Sequence, residues 1–190
     1  WMNILLIDNY DSFTYNLFHY LDELNAGGVD VVRNDELDLD KVKNYDKVVL
    51  SPGPGLPKDT GKLMDFLKQY ATEVSILGVC LGQQAIAEHF GMRLKNLAEV
   101  VHGQSRTIEI LENQKGIFQA FPKEVKVGRY HSWVIEPASL SPDFNVTSTD
   151  KEGNIMSIQH KRLPISAVQF HPESVLTEMG KEMLQNWLKE

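Results

Sequence analysis

The run Gly78-Val79-Cys80-Leu81-Gly82 carries the only cysteine of the chain and closes the apolar stretch Val74-Ser75-Ile76-Leu77-Gly78-Val79. An apolar strand that passes abruptly into a helical pattern is a strand-turn-helix elbow. Its central side chain is pushed into a strained, exposed position, and glycines two residues to either side let the helix pass close to the strand. The helix start also turns N–H groups toward the sulfur, which favours thiolate and supplies donors for a developing oxyanion. A lone cysteine is by itself more often a small buried hydrophobe. The glycines and the preceding strand turn the reading of Cys80 toward a nucleophile.

A thiol nucleophile needs a base, and near the end of the chain stands Gln169-Phe170-His171-Pro172-Glu173-Ser174. In extended backbone, residues two apart project to one side, and Pro172 resists helix formation, so Glu173 is placed to orient the His171 imidazole. The three side chains then suit the roles of nucleophile, base and orienter. A third segment, Ser51-Pro52-Gly53-Pro54-Gly55, follows the apolar strand Lys47 to Leu50. Its prolines lack N–H groups, so Gly53 and Gly55 are the only backbone donors of residues 52–55. Placed beside the elbow, the Gly53 and Leu81 N–H groups would form a two-donor oxyanion hole, each donor worth about 3–4 kcal/mol in acyl transfer.

Taken together, Pro52 to Gly55, Gly78 to Gln84 and Gln169 to Ser174 resemble the signatures of the class I, or triad-type, glutamine amidotransferases. The opening Asp8-Asn9-Tyr10-Asp11-Ser12-Phe13-Thr14-Tyr15-Asn16-Leu17, with Tyr130-His131-Ser132-Trp133, narrows the resemblance to the glutaminase subunits (component II) of anthranilate synthase and aminodeoxychorismate synthase. It runs from about Met2 to the C-terminus. The resemblance implies that Cys80 attacks the side-chain amide of glutamine, with His171 and Glu173 completing the triad. A glutamyl thioester then forms and is hydrolysed. It also implies that Gly53, Pro54, Gly55, the Gln84 side chain and the Ser132-Trp133 backbone hold the glutamine. An amide such as Gln84 can donate and accept at once, which suits a substrate bearing amino and carboxylate groups. One departure is Gln83, where relatives commonly carry His; activity is expected to survive it.

By the same resemblance the ammonia serves a separate chorismate-using synthase subunit, with anthranilate synthase the favoured branch. The aminodeoxychorismate branch, or a subunit shared by both, is the alternative. Magnesium is expected on that partner, and no cofactor or metal on this chain. The partner is expected over the loops around Tyr10, Leu56, His102 and Trp133, so that ammonia passes from Cys80 without escaping to water. Readings of another class are a stand-alone cysteine hydrolase and a non-catalytic activating subunit.

Elsewhere, apolar strands at Asn3–Ile7, Val29–Arg33, Lys47–Leu50 and Val74–Val79 alternate with helical patterns. These begin near Phe13, after a cap at Asp11 or Ser12, and recur at Gly61–Tyr70 and Leu81–Phe90. That alternation predicts an α/β fold with an open, mostly parallel sheet flanked by helices on both faces. Ligands in such sheets bind beyond the carboxyl ends of the strands, where Gly53 and Cys80 fall. From about Gln104 the pattern changes to strand runs: Arg106–Leu111, Val125–Tyr130, Val134–Glu136, Val146–Ser148, Ile155–Gln159 and Ile165–Gln169. These predict an antiparallel extension in the C-terminal half. A closing helix, Glu178–Lys189, carries an apolar stripe read as core.

The 190 residues, 42% hydrophobic, predict one domain over 1–190. A net charge of -7 without a basic stripe argues against nucleic acid and against an anionic membrane surface. One cysteine and no apolar run of about 18 residues fit a reducing cytoplasm. Trp1 stands before what looks like an initiator Met2 and is set aside. The six histidines lack zinc-ligand spacing. Of these, His131 is the strongest rival to His171 as base, but without a carboxylate two residues on it reads as a pocket or interface residue.

Overall fold

The alternation within the first strand explains the layering of the whole molecule. In the computed structural model, which describes residues 2–190 and leaves Trp1 outside them, β1 spans Ile4–Asp8 and is buried along its length. Its Leu5 and Ile7 join one core with Val48, Leu50, Leu63, Phe66 and Ile86. Ile4 and Leu6 point the other way and pack with Leu17, Leu21, Leu77, Leu184 and Trp187. A strand apolar on both faces requires cover on both faces. Each fully buried Leu, Ile or Phe contributes about 1.5–3 kcal/mol, so two such cores hold the sheet from either side.

The cover comes from α2 (Leu63–Tyr70) and α3 (Leu81–His89) on one side, and from α1 (Thr14–Leu24) and α4 (Gly180–Leu188) on the other. The remaining strands are β2 (Val29–Arg33), β3 (Lys47–Leu50), β4 (Ser75–Val79), β5 (Leu94–Ile110), β6 (Glu124–Ile135), β7 (Phe144–Asp150), β8 (Ile155–His160) and β9 (Ile165–Val168). They form one nine-stranded sheet in the order β2-β1-β3-β4-β9-β8-β7-β5-β6. Pairings from β2 through β9 are parallel, and those from β9 onward to β6 are antiparallel. The expected α/β sheet with an antiparallel extension is what forms.

Three local expectations change. First, β5 begins at Leu94, well before the expected Arg106, because residues 95–106 are mostly exposed and show no apolar alternation. Second, β6 runs unbroken through Tyr130 to Trp133, a segment that reads as loop-like. Its partner is irregular there: Asn96 pairs with Trp133 and Val101 with His131, so residues 97–100 of β5 bulge opposite Ser132. Third, two helix starts shift. α1 begins at Thr14 after Phe13, with Asp11 acting one step earlier by accepting the Phe13 N–H at 2.9 Å. α4 begins at Gly180 because Met179 is left-handed, with φ 59°, and Glu178 is tied to Lys126 of β6 by two hydrogen bonds. Met183, Leu184 and Trp187 of α4 are core, as its stripe predicts.

Candidate active site

Three adjacent strands, β3, β4 and β9, end at the same edge and deliver the Pro-Gly loop, Cys80 and His171 to one place. Cys80 sits between β4 and α3 with φ 54° and ψ -102°, a backbone state that costs an L-residue about 1–3 kcal/mol. Its N–H donates to the carbonyl of Val168, the last residue of β9, at 2.8 Å. The elbow needs its glycines. A β-carbon on Gly78 would lie 2.7 Å from the Gly82 backbone, and one on Gly82 would lie 2.6 Å from the Leu50 carbonyl oxygen.

Across the cleft, His171 Nδ1 and Glu173 Oε1 are 2.6 Å apart, both residues buried. A carboxylate only accepts, so Nδ1 carries the proton and Nε2 is the atom left for chemistry. The His171 N–H donates to the Gly128 carbonyl of β6 at 3.0 Å, while the rings of Tyr130 and Phe13 pack on the imidazole at 4.8 and 5.6 Å. Gly53 lies against the elbow, since a β-carbon there would be 2.9 Å from Leu81 Cδ2 and 2.5 Å from the Asn9 carbonyl oxygen. Leu81 opens α3, so its N–H is a first-turn donor without an intrahelical acceptor. An open cleft of about 450 Å³ runs between Tyr10–Phe13, Pro52–Pro54, Cys80, His102, Tyr130 and His171.

Residues 5–190 match the family model for glutamine amidotransferase class-I. The chain belongs to the class I glutamine amidotransferases. It is 47% identical over 188 residues to aminodeoxychorismate synthase component 2 of Escherichia coli (strain K12), covering 97% of this chain and 98% of that protein. It is 44% identical to aminodeoxychorismate/anthranilate synthase component 2 of Bacillus subtilis (strain 168), covering 98% and 95%. Among solved structures, a putative GMP synthase subunit from Thermoplasma acidophilum superposes with a TM-score of 0.88 at 27% identity, covering all of this chain and 94% of that one.

In this amidotransferase the electrostatics separate the two candidate bases. Burial works against charge on His171, but the Cys80 sulfur and the Glu173 carboxylate outweigh it and push its pKa up to about 11. Nε2 has no hydrogen bond of good geometry even though the sulfur is near enough to act on it. Loose contacts of this kind are common in active sites before substrate arrives. His131 behaves oppositely: burial, then the nearby Arg129 cation, pull its pKa down to about 3. Its Nε2 accepts from Arg129 Nε at 3.0 Å, and Arg129 in turn pairs with Asp150 at 3.0 Å. His131 is thus a neutral acceptor inside the antiparallel half of the sheet.

The expected glutamine-holding residues of the amidotransferase divide. Gly53 and Pro54 line the cleft, whereas Gly55, Gln84, Ser132 and Trp133 lie outside its lining. Gln84 is buried, and its Nε2 donates to the Trp133 carbonyl at 3.1 Å. The loop around Gly53 rests on a network whose members carry no expected role. Asn9 donates from Nδ2 to the Ser51 carbonyl at 2.7 Å, its N–H donates to Ser51 Oγ at 2.8 Å, and its Oδ1 accepts from Asn34 at 3.0 Å. Asn9 belongs to the opening motif, which marks the segment without revealing this contact. Among the described residues, no three His, Cys, Asp or Glu side chains converge as a metal site, and no helix is long and apolar enough to cross a membrane.

Proposed function

We propose that this amidotransferase is the glutaminase subunit of a chorismate-using synthase. Cys80 Sγ attacks the side-chain carbonyl of glutamine, and the Gly53 and Leu81 N–H groups stabilise the oxyanion. His171, oriented by Glu173, donates to the leaving nitrogen the proton that its Nε2 took from the Cys80 thiol, and ammonia departs. His171 then takes a proton from water as it attacks the thioester, and collapse of the second oxyanion frees glutamate and restores Cys80. Gly53 and Pro54, which line the cleft, hold the substrate, while Gly55, Gln84 and the Ser132-Trp133 backbone stand behind that lining. The observation that carries this reading is the buried His171–Glu173 pair at 2.6 Å facing a cysteine on a strained elbow in the same cleft.

Glutamine hydrolysis yields ammonia and no aromatic product, and the names of the Escherichia coli and Bacillus subtilis relatives, each a component 2, support a partner that carries the aromatic chemistry. The cleft rim, with Tyr10 48% exposed and His102 also lining it, offers that partner a seat over Cys80, and we extend that seat to Leu56 and Trp133 beyond the lining. We assign the chain to anthranilate formation in the cytoplasm, with magnesium on the partner. The second reading, aminodeoxychorismate formation, is favoured by the name of the Escherichia coli relative, and a shared subunit by that of the Bacillus subtilis one.

The test mixes the chain with each chorismate-using synthase subunit of its own genome, supplying chorismate, glutamine and magnesium, and identifies the aromatic product. Product must form from glutamine in the native chain and fail with Cys80→Ser, while free ammonia restores it. Anthranilate supports the first branch, aminodeoxychorismate the second, and both a shared subunit. Glutamine turnover without any partner, and no product with one, would favour a stand-alone hydrolase instead.

A further inference from the structure

Behind Cys80, on the side away from the open cleft, three carboxamides stand in line. Gln169, fully buried just after β9, places Nε2 3.4 Å from Cys80 Sγ. Its Oε1 receives Gln84 Nε2 at 3.4 Å and Gln83 Nε2 at 3.5 Å. The two ends of an amide look alike in shape, so orientation has to be fixed by an unambiguous neighbour. That neighbour is the Trp133 carbonyl, which can only accept and so holds the Gln84 nitrogen toward it at 3.1 Å. The second proton of the same NH2 group reaches Gln169 Oε1, and the Gln169 NH2 is thereby turned to the sulfur. Donation runs one way, from Gln84 to Gln169 to Cys80.

On its other side the sulfur meets the Tyr130 carbonyl at 3.9 Å, a contact that suits a thiol proton and offers nothing to a thiolate. The Gln169 donor does the reverse, since a charged acceptor is held more strongly than a neutral one. We infer that Gln169 holds the Cys80 thiolate, with Gln84 as the positioning residue that sets the direction of its amide. The inference rests on the reading of Cys80 as the nucleophile. It gives Gln84 a task before any glutamine arrives.

The test is the initial rate of Cys80 alkylation by iodoacetamide in the full chain, without glutamine or partner, from pH 6 to 10. Gln169→Met, close in volume but without donors, is expected to alkylate about 10-fold more slowly near pH 7, with the deficit closing as pH rises. Gln169→Glu, which replaces the donor by an acceptor, slows it further. Gln84→Leu, which does not touch the sulfur, slows it about 3-fold. A native rate in Gln169→Met, or a deficit equal at every pH, overturns the inference. Should Gln169→Met fail to fold, Gln84→Leu decides by the same two criteria. Retained glutamine-dependent ammonia release in Cys80→Ser would overturn the nucleophile reading itself. An inactive Cys80→Ser beside a native rate in Gln169→Met overturns the role of Gln169 alone.

Discussion

Gly180 stands so close to Pro172 that a β-carbon on the glycine would lie 1.9 Å from the proline carbonyl oxygen. The first turn of the closing helix therefore sets the position of the peptide that joins His171 to Glu173. Nearby, the Thr177 hydroxyl donates to the His171 carbonyl at 2.5 Å, and the Thr177 Oγ1 accepts the Gly128 N–H at 2.8 Å. His171 is thus held by backbone contacts from α4 and β6 as well as by Glu173.

Gly180→Ala is expected to lower stability by about 1–3 kcal/mol, the usual cost of forcing extra volume into a packed site. Displacing Pro172 also shifts the imidazole relative to Cys80, so glutamine-dependent activity should fall more than the loss of folded protein explains. Urea unfolding and single-turnover rates on the same samples measure both effects.

Glu173→Gln removes the carboxylate that raises the His171 pKa and should slow glutamine hydrolysis about 100-fold or more. Because the folded value, about 11, lies above the ordinary 6.5, this group's stabilisation is complete below pH 6.5 and declines as pH rises toward 11. The stability advantage of the native chain over the variant should therefore be larger at pH 6.5 than at pH 10. Equal differences at the two pH values would contradict this.

For His131 the sign is reversed. Its folded pKa, about 3, lies below 6.5, so the unfolded chain binds the extra proton and stability falls as pH drops from 6.5 toward 3. His131→Gln should flatten that acid limb in urea titrations at pH 6.5, 5 and 4. Proton NMR of the folded chain should show no His131 titration between pH 5 and 8.

Gln83 is fully buried and its Oε1 has no hydrogen-bond partner. Gln83→Met keeps the volume and removes that orphan, so thermal unfolding should show unchanged stability or a gain of about 1 kcal/mol. Gln84 still orients Gln169 in this variant, and partner-coupled activity should persist.

Much of this was legible locally. The apolar runs that became β1, β3 and β4 announce themselves because both sheet faces are covered, and the glycines about Cys80 announce the elbow because nothing larger clears Gly82 and Leu50. The exposed part of β5 was not legible, since a strand surrounded by water has no apolar period to read. The inward turn of His131 was also hidden: its partner, Arg129, and the Asp150 that pairs with Arg129 become neighbours only when β6 and β7 flank β5.

By itself the sequence determined the order of strands and helices, the elbow that carries Cys80 and the two-residue spacing of His171 and Glu173, because each depends on bonds and dihedrals within a few residues. Only the tertiary structure decided which histidine is the charged one, which amide faces the sulfur and which glycine props the base. Those outcomes depend on burial and on distances between atoms far apart in the chain. The sheet order β3-β4-β9 sets them by bringing Gly53, Cys80 and His171 to one edge.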